Sequence, residues 1–580
     1  MDLEQLKETD IWILYEQGRN YCRMQGMFRD TDTNYRMYNG DQWEGVIVKG
    51  IEPIQENFIK PIVKYKVGNI TSNLWQINFS SENFESEDFR ETADKTCEML
   101  NRKARKTWEK DGMDYKVKAI AKDSAINDEG LSYSMFDMEK QEITNEILKK
   151  NNVFYGNEND EDIQKQPYII VKRRMPVINV HNMALAEGVS EDKLEFIIGD
   201  KDTFEESGDA AKYEKDDMCT VLTKMWKEDG EVYFETATKF LVIKKATNSG
   251  LKLYPLAHMI WESREGSARG EGEVRHLIPN QMEVNKILTR SALVVKLTAY
   301  QTKVVNKDKI ANYGDANKVG ATLYTKNSQT IDDVNKIIGY INPAQMSPDV
   351  EKLRNELIKT TRELAGAGDI ATGQVNPESA SGRAILAVQQ AAQLPLTEQL
   401  SSLKAYIEDV ARIWLDILTT YSMDGLTLEE EVLNQETGEE TVELVQIPQT
   451  VMEQLKASVK VDVTPKGAFD KYAQELSLEN MLKAGLFNVQ RLSELKRYVE
   501  VLDDDAVSPK TKLEKIVKSM EEEQQKIAMI DAQARMMEQR AKMFIDSDPD
   551  AQAGKMAEAK AQADAQAETF NPNEEAQPTA

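Results

Sequence analysis

The sequence predicts an α+β protein in which long helices lie on either side of a strand-rich part. From about Leu131 to Ile260, short apolar runs such as YIIVKRR and EVYFETATKF alternate with Gly, Asn and Asp, which is typical of mixed, strand-rich structure. Before and after this part, apolar residues recur at helical spacing over longer segments. The 580 residues, 41% of them hydrophobic, are enough to form several packed units.

The first third of the chain is predicted to be mainly helical. Residues 1–37, residues 88–127 and the stretch after Asn57 have helical spacing, and Tyr38-Asn39-Gly40-Asp41 has the composition of a turn. Between these helices, an apolar segment indicates one strand. Its apolar residues are Leu74, Trp75, Ile77 and Phe79.

A short helix is predicted from Pro348 to about Gly366. Ser347 can cap its first turn, proline is favoured at the first helical position, and the glycines of Gly366-Ala367-Gly368 can adopt the left-handed conformation that ends a helix. A polar segment follows, and Asn376-Pro377 then has the residue types that start a second helix.

The second helix carries apolar side chains at alternating steps of four and three residues, which form a heptad seam. A helix from Pro377 to Tyr421 contains about 45 residues and extends roughly 65 Å. Pro395 is expected to kink it. So long a helix favours a ring in which each copy packs against its neighbour, and the alternative is a helix buried in one large domain. The seam residues are Leu396, Leu400, Leu403, Ile407, Val410, Trp414, Ile417 and Tyr421.

The C-terminal part is predicted to contain strands, then helices, then a disordered tail. Residues 425–465 hold strand-like runs around a short helix, and residues 467–544 are mainly helical. Residues 546–580 are rich in Ala, Gln and acidic side chains, so they cannot bury enough apolar area to order themselves.

Composition excludes several classes of protein. The net charge of −26 is unlike the basic footprint of a protein that reads DNA sequence. Cys22, Cys97 and Cys219 are odd in number and far apart, which argues against a disulfide framework. The acidic N-terminus is unlike a secretory signal, and no apolar run reaches the ~18–20 residues that span a bilayer. We therefore expect a soluble protein, with no membrane partner, that is located or assembled inside a cell.

The sequence predicts no enzyme, no cofactor and no metal site. His181, His258 and His276 share no metal-ligand spacing with one another or with a cysteine. The G-x-x-x-x-G-K-[ST] loop that cradles phosphates does not occur. The acidic loop Gly156–Asp162 lacks the sixth-position glycine of a calcium loop, so we expect it to be a solvated surface loop.

Three groups of motifs resemble those of tailed-bacteriophage portal proteins. The string TGQVNPESASGRAILAVQQAAQLPL resembles the tunnel loop and spine helix of that family. Gly270-Glu271-Gly272-Glu273, leading into LIPNQMEVNKILTRSALVVKLTAY, resembles its first stem helix. YNGDQW (Tyr38–Trp43) and NFIKPIVKYKVGNI (Asn57–Ile70) resemble its wing. The order and separation of these motifs, over roughly residues 10–500, are the specific part of the resemblance.

The resemblance implies a portal-type subunit with a mixed α/β wing, a helical stem, a small clip, a kinked spine helix and a helical crown. The implied boundaries are wing 1–265, first stem helix 266–300, clip 301–346, second stem helix 347–367, tunnel loop 368–380, spine helix 381–424, wing return 425–466, helical crown 467–545 and disordered tail 546–580.

The function implied by the resemblance is mechanical. A ring of this chain, expected to be a dodecamer, would form the channel for double-stranded DNA at the unique capsid vertex. Its expected partners are the terminase large subunit, head-completion or adaptor proteins, and capsid and scaffold proteins. It would be part of the virion, after assembly in the host cytoplasm. Two alternatives remain open, a coiled-coil scaffold protein with no DNA channel and a hydrolase that uses scattered carboxylates.

Two sets of residues are candidates for contact with DNA or the motor. Residues 301–330 have a local net charge of +3, which suits contact with phosphate or an acidic motor face, although a solvated surface has the same composition. The clip candidates are Lys303, Lys307, Lys309 and Lys318. The tunnel-loop candidates, which the resemblance places along the channel, are Asp369, Thr372, Gly373, Gln374 and Asn376.

Overall fold

The computed structural model describes most of the first two thirds of the chain. The described residues are 7–44, 52–72, 74–81, 87–200, 217–299, 302–315, 318, 320–326, 337–341, 346–367, 394–421, 426–433, 440–447 and 459–466, with a few between 520 and 561. The chain divides into two compact units, residues 1–465 and 466–580. In the second unit, the residues described between 520 and 561 are helical and exposed.

The N-terminal part of the first unit is mainly helical, as the sequence predicts. Its elements are α1 (Asp10–Met24), α2 (Met27–Asn39), α3 (Ile59–Ile70), β1 (Leu74–Ser81), α4 (Glu87–Lys110) and α5 (Met113–Ile126). The predicted helical stretch 88–127 is interrupted at Gly112, which has a positive φ of 62° and separates α4 from α5.

The strand-rich middle part contains two antiparallel sheets. Its elements are β2 (Glu129–Asp137), β3 (Glu142–Leu148), β4 (Val153–Tyr155), β5 (Ile169–Pro176), α6 (Val177–Ala186), β6 (Met218–Glu228), β7 (Glu231–Ala237), β8 (Val242–Asn248) and β9 (Leu256–Ile260). One sheet has the order β3-β2-β9 and the other the order β4-β5-β6-β7-β8. The described fold is thus mixed α/β, which agrees with the predicted α+β class.

The remaining elements in the described part of the first unit are three α-helices and five paired strands. They are α7 (Glu273–Ala299), β10 (Thr302–Val305), β11 (Ile338–Ile341), α8 (Asp349–Leu364), α9 (Thr397–Tyr421), β12 (Leu426–Leu433), β13 (Glu440–Ile447) and β14 (Val459–Lys466). β10 pairs with β11, β12 pairs with β13, and β14 pairs with β1, which lies about four hundred residues earlier in the chain. The strand β12 and the helix α6 were not predicted.

Both ends of α8 follow the predicted chemistry. The Ser347 hydroxyl accepts a hydrogen bond from the Asp349 amide at 3.3 Å. At the other end, Gly366 has a positive φ of 68°, and the amides of Gly366 and Ala367 donate to the carbonyls of Glu363 and Arg362. This is the Schellman arrangement, which satisfies the last carbonyls of a helix.

The main core forms where α9 packs on the three-stranded sheet. The Tyr406 hydroxyl donates to Ser132 Oγ in β2 at 2.9 Å, and Trp414 Nε1 donates to Asn145 Oδ1 in β3 at 3.2 Å. Buried residues of α3, α5 and α7 complete this core. Two smaller cores lie on the five-stranded sheet, one under α1 and one under α6.

The chain turns into α7 through a very close backbone approach. A Cβ atom at Gly272 would collide with the backbone carbonyl of Asn127, at the end of α5. A collision with backbone atoms cannot be relieved by moving one side chain, so this position requires glycine.

We predict that Gly272→Ala lowers the free energy of unfolding by about 1–3 kcal/mol, the usual cost of overpacking. Gly68→Ala is the control, because Gly68 lies on the exposed face of α3 with open space around it. In that helix, alanine should stabilise by about 0.5–1 kcal/mol. Thermal unfolding of the two variants measures both effects. Equal melting temperatures for Gly272→Ala and the unchanged protein would contradict the close approach.

Candidate functional site

The helices α7 and α8 form an antiparallel pair, and the strands β10 and β11 form a small lobe at one end of it. We call it the clip lobe, because the resemblance predicts a clip in this segment. Asn280 Nδ2 donates to Thr361 Oγ1 at 2.9 Å, and Ser291 Oγ contacts the Met346 sulfur at 3.3 Å. These two contacts run in opposite directions along the two helices, so the pair is antiparallel. The strands β10 and β11 connect to the same end of this pair, with Thr302 opposite Ile341.

Two of the four clip lysines have no carboxylate partner among the residues that the structure describes. Lys307 and Lys309 are exposed in one turn, and Lys307 Nζ lies 5.7 Å from the Tyr313 ring centroid. Lys318 is 2.7 Å from Asp315 Oδ1, which offsets its charge. Lys303 is only partly exposed, in β10. Among the four clip candidates, Lys307 and Lys309 are therefore the exposed lysines without a carboxylate partner in the described residues.

The helix α7 changes from a buried helix at its start to a partly uncovered one at its end. Val274 and Val284 are fully buried. Near the clip, Val295 is 66% exposed and Leu297 is 49% exposed, and Leu353 in α8 is 51% exposed. At this end, the helix pair thus presents apolar side chains that stay exposed in the described part of the chain.

Three polar side chains on one face of α7 hold an extended segment of the chain. Thr289 Oγ1 accepts from the Ile54 amide at 3.0 Å. Asn285 Oδ1 accepts from the Glu56 amide at 3.1 Å, and Gln281 Oε1 accepts from the Phe58 amide at 3.1 Å. We call these three hydrogen bonds the α7 ladder.

The ladder fits because two repeats match in length. Two residues of an extended chain rise about 6.6 Å, and four residues of a helix rise about 6.0 Å. Alternate amides of residues 54–58 therefore meet side chains spaced four apart on α7. The sequence contains a signal for this ladder, namely polar residues at positions i, i+4 and i+8 of a helix that is otherwise apolar at its base. The sequence-based predictions did not include it.

A buried ionic cluster fixes the chain just before α7. Arg269 Nε is 2.8 Å from Glu158 Oε2, its Nη1 atom contacts Glu129, and its Nη2 atom donates to the Val153 carbonyl at 2.9 Å. Burial alone would lower the pKa of Arg269, but the two carboxylates raise it well above its ordinary value. The guanidinium therefore stays charged.

The same cluster corrects one expectation about the acidic loop Gly156–Asp162. Glu158 is drawn inward by Arg269 and its side chain is only 13% exposed. The prediction of a solvated surface loop is therefore wrong for this residue. It failed because the partner, Arg269, is more than one hundred residues away in sequence.

The heptad seam of α9 is filled by residues of the same chain. Leu396, Leu403, Ile407, Val410, Trp414 and Ile417 are buried, and Leu400 and Tyr421 pack against the same core. This is the arrangement that the alternative of a helix buried in one large domain expects. Any contact of α9 with another copy must use its other faces.

The tunnel-loop candidates lie outside the described residues, as do residues 377–393 of the predicted spine helix. The described residues on either side are close together, because a Cβ at Gly366 would lie 3.2 Å from Pro395 Cβ. Pro395 lies in a short 3₁₀ turn, Leu394–Leu396, immediately before α9. Most residues of the predicted crown and tail also lie outside the described part.

The histidines and cysteines form no metal-binding group within the described residues. His276 lies 3.2 Å from Glu271. Both ring nitrogens of His258 are buried, and burial lowers the pKa of this side chain to about 4. Cys22, Cys97 and Cys219 are buried thiols that form no disulfide bond within the described residues. None of the described helices is both long and apolar enough to cross a membrane.

The described features are typical of a subunit of a large assembly. They are a helix pair with an exposed apolar end, a small lobe on that pair, and a start of α7 that hydrogen bonds and ion pairs hold in place. The sequence model of the phage P22-like portal protein family matches residues 18–568. The chain therefore belongs to this family, as the resemblance indicated. Family membership supports a portal role in a phage virion. A comparison with curated proteins finds no match.

We predict that Asn285→Leu weakens the α7 ladder. It would leave the side-chain oxygen of the buried Gln42 without its partner, at about 1–3 kcal/mol, and would remove the oxygen that accepts from the Glu56 amide. Hydrogen exchange of residues 52–58 should become faster. Arg290→Leu, on the exposed face of the same helix, is the control and should leave this exchange unchanged. Equal exchange in both variants would show that the ladder does not hold the segment.

Proposed function

We propose that this chain forms a closed ring at the unique vertex of a phage capsid, and that the ring is the channel for DNA packaging and ejection. The observation that carries this proposal is the family match over residues 18–568. The role is structural, and a separate terminase supplies the energy for DNA movement. The ring, which is expected to have twelve copies, therefore has no catalytic task.

The uncovered apolar end of the α7–α8 pair supports contacts between copies. A contact in which different surfaces of two subunits meet can close into a ring when the rotation between subunits suits it. Covering Val295, Leu297 and Leu353 with a neighbouring pair would remove their apolar surface from water, which is favourable at about 25 cal/mol per Å². We propose this pair as the stem of the ring.

The clip lobe is proposed as the docking site of the terminase large subunit. Lys307 and Lys309 are exposed on a lobe carried by the stem, and an acidic surface on the motor would complement them. Head-completion or adaptor proteins, together with capsid and scaffold proteins, are the other proposed partners.

An acidic chain suits a channel through which DNA must slide. A basic channel would release the counterions of DNA and hold the duplex, with a strong dependence on salt. The net charge of −26 per chain opposes such a grip. We propose that the polar, uncharged side chains of Thr372 and Gln374 face the duplex at the narrowest part of the channel.

The coiled-coil scaffold is less well supported. A scaffold of that kind needs a heptad seam that is open to another helix, whereas the α9 seam packs on the sheet of its own chain. The hydrolase alternative gains no support from a match to a family of structural proteins.

We expect the purified chain to form closed rings with a central hole. For twelve copies of 65.8 kDa, light scattering should give a mass of about 0.8 MDa. Val295→Asp should reduce ring formation because it places a charge in the proposed stem contact. Met138→Asp is the control, since Met138 is similarly exposed, at 58%, in the turn after β2. A mass near one or two chains at micromolar concentration would contradict the ring.

We expect Thr372→Lys combined with Gln374→Lys to slow DNA packaging without preventing ring formation. Twelve copies would place about two dozen positive charges around the duplex, and each engaged phosphate adds a salt dependence with a slope of about −0.9. Higher salt should partly restore the rate. The measurement is packaging rate in a defined motor assay. Equal rates for both proteins at every salt concentration would place this loop away from DNA.

A further inference from the structure

Four lysines surround the buried Tyr38 on the helical surface of the first unit. Lys60 and Lys64 lie on α3, and Lys118 and Lys122 lie on α5. We call them the Tyr38 lysine patch. Three of them are exposed and Lys60 is partly exposed.

The geometry of the patch brings lysines of two helices together. Lys60 Nζ is 5.6 Å and Lys122 Nζ is 5.5 Å from the Tyr38 ring centroid, so the two ammonium groups are no more than about 11 Å apart. Lys64 and Lys118 are each one helical turn from these residues, on the same face of their helices. The four side chains therefore form one positive surface.

Carboxylates in the described residues offset the charge of the patch only in part, since Asp123 interacts electrostatically with Lys122. None of the four lysines has an ion pair there, whereas Lys66 pairs with Glu273 at 2.7 Å and Lys116 pairs with Asp111 at 2.6 Å. The α3 sequence contains no acidic residue. Asp123, the acid next to Lys122, accepts a hydrogen bond from the Tyr35 hydroxyl at 2.8 Å.

Part of this arrangement has a structural explanation, and part does not. Lys60 and Lys122 interact with the Tyr38 ring, a contact worth about 0.5–1 kcal/mol at an exposed site. Lys64 and Lys118 make no such contact in the described structure. Two exposed lysines without ion pairs, beside two others, form a concentrated positive surface on a chain of net charge −26, and such a surface suits an anionic ligand.

We propose that the Tyr38 lysine patch binds the phosphate backbone of double-stranded DNA, without sequence specificity, at a surface separate from the channel. Lysine is depleted at the centre of protein–protein interfaces, where arginine and aromatic residues are enriched. A patch of lysines alone therefore favours phosphate over an acidic protein. Lysines act on phosphate as mobile point charges, which suits contact with a duplex in any register.

The acidic remainder of the chain does not prevent this contact. At 0.1 M ionic strength, interactions between exposed charges are largely screened beyond about 10 Å. The phosphates at the patch therefore respond mainly to the charges within that distance, which include the four lysines and Asp123 beside Lys122. The proposal does not depend on the channel, because it concerns a different surface.

Lys64→Gln combined with Lys118→Gln tests the proposal while keeping both lysines that contact Tyr38. The control is Lys140→Gln combined with Lys165→Gln. Both control lysines are exposed, at 71% and 73%, and each has a carboxylate partner, Asp137 or Asp162. Both variants lose two positive charges. A difference in their DNA binding therefore reports where the lysines lie and not the net charge.

The DNA used is a covalently closed circular plasmid, since a closed circle cannot thread through a closed ring. Binding to the full-length protein is measured between 50 and 200 mM salt. Two lost phosphate contacts should lower the slope of log K against log salt by about 1.8, so the affinity of the unchanged protein should fall about tenfold more than that of the patch variant over this range.

The control should bind as the unchanged protein does. The proposal is overturned if the unchanged protein does not bind the circle, or if the two variants lose affinity equally. It is also overturned if poly-glutamate binds the patch and DNA does not, since the ligand would then be an acidic protein. Failure of ring formation is detected separately, by mass.

Discussion

The position of α7 depends on the ladder of side-chain hydrogen bonds that joins it to residues 54–58. These residues belong to neither a helix nor a strand, so their amides have no regular backbone partner, and the hydrogen bond of the Phe58 amide is buried. Gln281 and Asn285, both fully buried, supply oxygen atoms to two of the amides. The ladder therefore satisfies the extended segment and fixes the rotation of α7 at the same time. The antiparallel partner α8 and the clip lobe follow from that orientation.

Charged side chains secure the start of the same helix. Glu273, at its first turn, pairs with Lys66 of α3 at 2.7 Å, and both side chains are nearly buried. Arg269 lies four residues earlier, in contact with Glu129 and Glu158. Removing one partner from a buried ion pair typically costs about 3–5 kcal/mol, because the other charge remains without compensation. The base of α7 is thus specified by geometry as well as by apolar burial.

Features that depend on neighbouring residues could be predicted from the sequence. The start of α8 at Ser347 and its end at Gly366 were predicted to within a residue or two, because capping is local chemistry. The pairing of β1 with β14 could not be predicted, since it joins distant segments with no local signal. The heptad seam of α9 showed that one face is apolar, but it could not show whether its own chain or another copy covers it. For the candidate site, the sequence predicted four clip lysines, a prediction that remains untested, but it did not show that Asp315 neutralises Lys318.

Because of the direction of the α7 ladder, the contact between α7 and residues 54–58 resists force better in one direction than in another. Its three hydrogen bonds are arranged side by side along α7, and each crosses from the helix to the extended segment. A pull along the axis of α7 loads all three in shear at once, so they must break together. A pull across the axis breaks them one after another, beginning at the end nearest the load. The ladder therefore resists a pull along the axis of α7 more strongly than a pull across it.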